Sequence, residues 1–102
     1  MTAALAIERL ADGRARLRGR LGFGEVAAVL PRGAELIAGR GTDGLELDVA
    51  GLQGIDSATL ALLLAWAAEA AQAGTRLRLA QAPDGLRALA QLCDAGPLLG
   101  LA

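Results

Sequence analysis

Asp56-Ser57-Ala58-Thr59 is the segment of this chain whose residue types are best placed to do chemistry. Two hydroxyls and a carboxylate sit side by side there, and Asp48 stands a short way upstream. A serine hydroxyl can act as a nucleophile, accept a phosphate, or hydrogen-bond another surface. The first role needs a base to take the proton. The chain has no His and no Tyr, and all ten of its basic residues are Arg, so Lys is absent as well. A Ser-His-Asp triad, a Lys Schiff base, a P-loop lysine and a His-built metal site are therefore excluded. Asp48 and Asp56 could in principle pair for acid–base work or hold Mg²⁺, but each of those sites needs further ligands or a substrate pocket. The sequence offers none, so capping or solvated carboxylates is the better reading. No catalytic residue, cofactor or metal is expected, and the protein reads as a non-enzyme. What remains is a place where charge is added or read. The first amides of a helix lack internal partners, and the helix dipole favours negative charge there.

That reading requires a helix to begin at Ser57, and the flanking pattern supplies one. Leu45 to Val49 alternates apolar and acidic residues, as a half-buried strand does. A loop from Ala50 to Ile55 follows. A leucine- and alanine-rich run from Ser57 to Ala73 then reads as a helix stopped by Gly74. Ser57 itself is a favoured N-cap type, and Thr59 could also satisfy a helix-start amide. Upstream, Leu5 to Leu10 reads as a first strand and Asp12-Gly13 as a hairpin turn. Arg14 to Leu21 is a second strand, with Arg14, Arg16, Arg18 and Arg20 on one side and Ala15, Leu17, Gly19 and Leu21 on the other. Glu25 to Ala38 reads as a helix with Pro31 and Gly33 as liabilities inside it, so a kink at Pro31, or a short first turn followed by the main helix, is expected. Arg76 to Ala80 alternates again. Pro83 and Asp84 suit the start of a last helix, whose buried stripe is Leu86, Leu89, Ala90 and Cys93. Leu98 to Ala102 reads as an edge strand or a tail. The order β-β-α-β-α-β-α implies an α/β domain: a mixed sheet of four or five strands with helices packed on one face.

Composition bounds the rest. The 102 residues make one small domain, taken as 1–102, and 54% of them are hydrophobic, so a core can be filled. Aromatic residues are only 2%, so that core is aliphatic. A net charge of −1 argues against nucleic-acid binding. The arginine stripe invites a phosphate or lipid-headgroup reading, but a solvated sheet face paired with Glu46 and Asp48 explains it more simply. The single Cys93 cannot form an internal disulfide and reads as a small buried residue of a reducing compartment. Glu8 and Arg9 interrupt any secretory signal, and Leu60 to Ala68 is too short to span a bilayer. A cytoplasmic location follows, with a partner complex as the only tie to a membrane and no direct insertion. That same run is apolar almost all round. Either a neighbouring helix covers it, or the side bearing Leu62, Ala65, Trp66 and Glu69 is a partner surface.

Leu45-Glu46-Leu47-Asp48-Val49, a loop, Ile55-Asp56-Ser57-Ala58 and a leucine-rich helix together resemble the STAS domain, and the element order resembles it over nearly the whole chain. The likeness is nearer to the MlaB-type STAS subunits of Mla phospholipid-transport ABC transporters. Gly22-Phe23-Gly24-Glu25-Val26 with a proline soon after, and Leu60 to Trp66, are similar to that group. The resemblance implies a protein that binds and stabilises or regulates the transporter's ATPase subunit. The alternative it implies is an anti-sigma factor antagonist, with a kinase and an anti-sigma factor as partners and Ser57 as the phospho-acceptor. On either reading the partner site is Asp56, Ser57, Ala58, Thr59, Leu60, Leu62 and Trp66. The family usually carries Gly at the position of Thr59, so a bulkier side chain is expected on that surface.

Overall fold

The computed structural model describes residues 5–10, 13–21, 26–39 and 43–101. The strands are β1 (Ala6–Arg9), β2 (Arg14–Gly19), β3 (Leu45–Leu52) and β4 (Leu77–Ala80), and the helices are α1 (Val26–Ala38), α2 (Ser57–Gln72) and α3 (Asp84–Leu92). A single 3₁₀ turn, Pro97–Leu99, follows α3 where an edge strand or tail was expected. The sheet runs β1-β2-β3-β4. The first pair is antiparallel and the other two are parallel, because α1 and α2 carry the chain back between successive strands. The expected mixed sheet is present with four strands.

Alternation in the strands separates two faces. Ala15, Leu17, Leu45, Leu47, Val49, Leu77 and Leu79 are buried against the helices. Arg14, Arg18 and Arg78 are exposed on the opposite face, with Arg16, Glu46 and Asp48 half-buried there. Glu46 lies between two guanidinium groups, 3.3 Å from Arg14 and 3.6 Å from Arg78, and Arg16 pairs with Glu8 at 3.6 Å. Asp48 does not join this network as expected. Its carboxylate instead accepts the Ala50 amide at 2.9 Å.

That local bond accompanies a change of register. Arg16 faces Asp48 but Arg18 faces Gly51, so β3 holds one residue more than β2 over this interval. The bulge shifts the inward phase: Val49 is buried, Ala50 and Gly51 are exposed, and Leu52 is buried again. The strand therefore runs on to Leu52, where the sequence pattern suggested a loop from Ala50. Strict alternation cannot foresee an inserted residue.

In α1 the helix continues through Pro31. Its buried residues are Val29, Gly33 and Ile37. Gly33 is there because a Cβ at that position would overlap the indole of Trp66 on α2. The indole Nε1 also donates to the Leu30 carbonyl at 2.9 Å. What reads in sequence as a weak point in a helix is the seat of the largest side chain in the core. At the other end of the chain Leu86 and Ala90 of α3 are fully buried, but Cys93 is exposed. It is the C-cap of α3 rather than the last residue of its buried stripe, since the helix stops at Leu92. The residues expected to form the turn before β2 and the lead-in to α1, including Asp12 and Gly22 to Glu25, lie outside the described residues, as does part of the loop before β3.

Candidate functional site: the start of the second helix

The loop 53–56 joins the end of β3 to α2 and fixes where Ser57 sits. Gln53 donates its amide to the Gly19 carbonyl at 2.9 Å, which ties the loop to the end of β2. Gly54 has φ +62. A side chain there would be strained, and its Cβ would also run into the Arg20 guanidinium. Ile55 packs on the core. The chain then turns at Asp56, which is extended (φ −147, ψ −174), and enters the helix at Ser57.

Asp56, not Ser57, is the N-cap. Its Oδ1 accepts the Thr59 amide at 3.0 Å and the Thr59 hydroxyl at 3.2 Å. This corrects the expectation that Ser57 or Thr59 caps the helix. A cap must be extended and precede the first helical residue, and the chain reaches that state one residue earlier. The Thr59 amide holds the Asp56 carboxyl below its ordinary range; burial opposes it, and the Thr59 hydroxyl, the Ala58 amide and the Arg20 charge each add a lesser lowering effect. Asp56 is therefore an ionised capping carboxylate, as one of the sequence readings had it.

With the capping done by Asp56, the Ser57 hydroxyl is left over. Ser57 is exposed at the first helical position, and its hydroxyl has no hydrogen-bond partner among the described residues. Ala58 beside it is half-buried. Thr59 is 2% exposed and faces inward onto Asp56. Its bulk is spent inside the domain and adds nothing to the surface around Ser57, contrary to expectation. Leu60 is buried at 5%.

The farther half of the expected surface is absent from the exterior. Leu62 and Trp66 are each only 2% exposed. The face with Leu62 and Trp66 is covered by α1, against which Gly33 admits the indole; Ala65 is half-buried and Glu69 is exposed. Those two residues are core, so the exposed part of the candidate site contracts to Asp56, Ser57 and the edge of Ala58. One residue that sequence reading grouped elsewhere belongs here. Arg20 looked like the last member of a strand stripe, yet its guanidinium lies over Gly54 and its charge acts on Asp56. Only the parallel pairing of β2 with β3 brings it there. Among the described residues no group of three or more His, Cys, Asp or Glu could hold a metal ion, and no helix is long and apolar enough to cross a membrane.

A four-stranded mixed sheet covered by helices on one face, with an exposed serine opening the helix after β3, defines a STAS-type interaction domain. The family model described as "Mlab, STAS domain" matches residues 8–100, and the chain belongs to that family. The family is generally non-enzymatic, and its domains are protein-interaction modules. A comparison with curated proteins gave no match.

Proposed function

We propose that this protein is the STAS subunit of an Mla-type phospholipid-transport ABC transporter, docking on the ATPase subunit through the surface around Ser57. The observation that carries the reading is an exposed hydroxyl, relieved of capping duty, at a capped helix start in a chain of the MlaB-type STAS family. A hydroxyl held this way keeps both donor and acceptor capacity for a partner. It performs no chemistry in this role. The domain contributes binding and stabilisation, and the nucleotide chemistry belongs to the ATPase.

The same exposure supports a second reading, an anti-sigma factor antagonist switched by phosphorylation of Ser57. Phosphate would add about −1.5 to −2 charges, beside Asp56, whose carboxylate is already ionised. Pull-down of the ATPase subunit by wild type, Ser57→Ala and Ser57→Asp tests both. Docking predicts capture by wild type, weaker capture by Ser57→Ala, and near loss with Ser57→Asp. Equal capture by all three would end the proposal that Ser57 contacts the ATPase. Phosphoserine at position 57 in protein isolated from cells, with no ATPase co-purifying, would move the assignment to the switch.

A further inference from the structure

The outer face of the sheet is unevenly charged. Its cross-strand rows can be followed from one end to the other. Arg14, Glu46 and Arg78 form one row, and both guanidinium groups reach the central carboxylate. In the next row Glu8 faces Arg16 and Arg16 faces Asp48. Beyond the bulge no carboxylate lies in the described rows of the sheet. Arg18 lies between Ala6 and Gly51 and is exposed. It has no ion pair among the described residues, and a Cβ on Gly51 would press into its Cβ. Arg20 comes next, exposed over Gly54, near enough to Asp56 to act on its charge but without a contact ion pair. This end, where Arg20 acts on Asp56 at a distance but no contact ion pair forms among the described residues, is the one from which the loop 53–56 leads to Ser57.

We propose that Arg18 and Arg20 extend the Ser57 surface onto the sheet and make it selective for a protein partner that presents carboxylates. A guanidinium is a planar fork that pairs with a carboxylate through two parallel hydrogen bonds. Small neighbours, Ala6 and Gly51 beside Arg18 and Gly54 beneath Arg20, leave both forks open to an incoming chain. A membrane surface fits less well. Two arginines on a domain of net charge −1 attract an anionic bilayer weakly, and among the described residues the exposed large apolar ones, Leu92 and Leu98, belong to the C-terminal part of the chain rather than to this corner. The identity of the partner rests on the proposed docking to the ATPase, while the carboxylate preference rests on the sheet face alone.

Two measurements on the whole chain separate these. The first compares affinity for the ATPase subunit among wild type, Arg18→Ala/Arg20→Ala and Arg14→Ala/Arg78→Ala, the last removing the same charge from the matched end. The first double variant should bind about tenfold or more weakly and lose most of the salt dependence, and the second should bind within about twofold of wild type. Equal loss in the two variants, or none in the first, overturns the inference and leaves the docking reading intact. The second follows amide shifts by NMR during titration with a short poly-glutamate peptide. Shifts gathered at Arg18, Arg20, Gly51, Gly54 and Ser57 support the inference even if the ATPase does not bind, a result that would remove the docking reading alone. Shifts spread over Arg14 and Arg78, no shifts at all, or binding only to anionic lipid vesicles would overturn it.

Discussion

The start and the middle of α2 differ in composition and have opposite roles. From Leu60 to Ala68 the helix is almost wholly apolar, and at its start it offers small polar residues. The side of the middle that bears Leu62 and Trp66 is sealed. Trp66 drops into a gap that Gly33 leaves in α1 and gives its Nε1–H to the Leu30 carbonyl, so the indole is buried with its polar atom satisfied. The start stays open: Asp56 takes over the capping and Ser57 is exposed. Burial in this domain is decided less by how greasy a residue is than by what the facing element leaves room for. Under the proposed docking, the part of α2 that meets the partner is its polar mouth, while Leu62 and Trp66 belong to the core.

The comparison can be broken in several ways. Trp66→Ala should have the largest effect, with a loss of about 3–5 kcal/mol in urea unfolding. A loss below about 1 kcal/mol would show that the indole is not a core residue. Gly33→Ala is a sharper test because two effects oppose. Helix propensity alone would stabilise by about 1 kcal/mol, while forcing a Cβ into the indole should cost about 1–3 kcal/mol. Net destabilisation is expected, and a stabilised variant would mean that Trp66 sits elsewhere.

At the other end of the helix the effects are smaller and of a different kind. Asp56→Ala removes the cap and should cost about 1 kcal/mol, whereas Ser57→Ala should change stability by no more than about 0.5 kcal/mol. Equal costs would mean that Ser57 shares the capping. Acid titration gives the same comparison without truncation. Because the Asp56 carboxyl is depressed in the folded state, its contribution is fully present above the ordinary carboxylate pKa of about 4 and disappears as pH falls through the lower folded value. Asp56→Asn should flatten that part of the stability curve below about pH 4, and an unchanged acid limb would remove the cap from the account.

Much of this was readable from residue order. Alternation in Arg14 to Leu21 and Leu45 to Val49 fixed which side of each strand is buried, because the two faces of a strand recur every second residue. The start of α2 at Ser57 and its stop at Gly74 follow from local backbone preferences. Other features depend on residues far apart in the chain. For the side of α2 bearing Leu62 and Trp66, the sequence left open whether a helix covers it or a partner does. The cover comes from α1, some thirty residues earlier, and a glycine that weakens a helix in isolation gives no hint that it faces an indole. Thr59 looked outward until its hydroxyl turned to Asp56.

Arg20 shows the limit most clearly. By spacing it belongs with Arg14, Arg16 and Arg18, but β2 ends at Gly19 and Arg20 lies just beyond it. Its position over Gly54 arises from the parallel pairing of β2 with β3 and from a bulge that adds a residue to one strand only. Sequence by itself determined the element order, the family and the serine that opens α2, because those depend on periodicity and on local capping chemistry. Tertiary structure alone decided which part of that helix meets the solvent and which charges lie beside the serine, because both depend on surfaces brought together by pairing and packing across the chain.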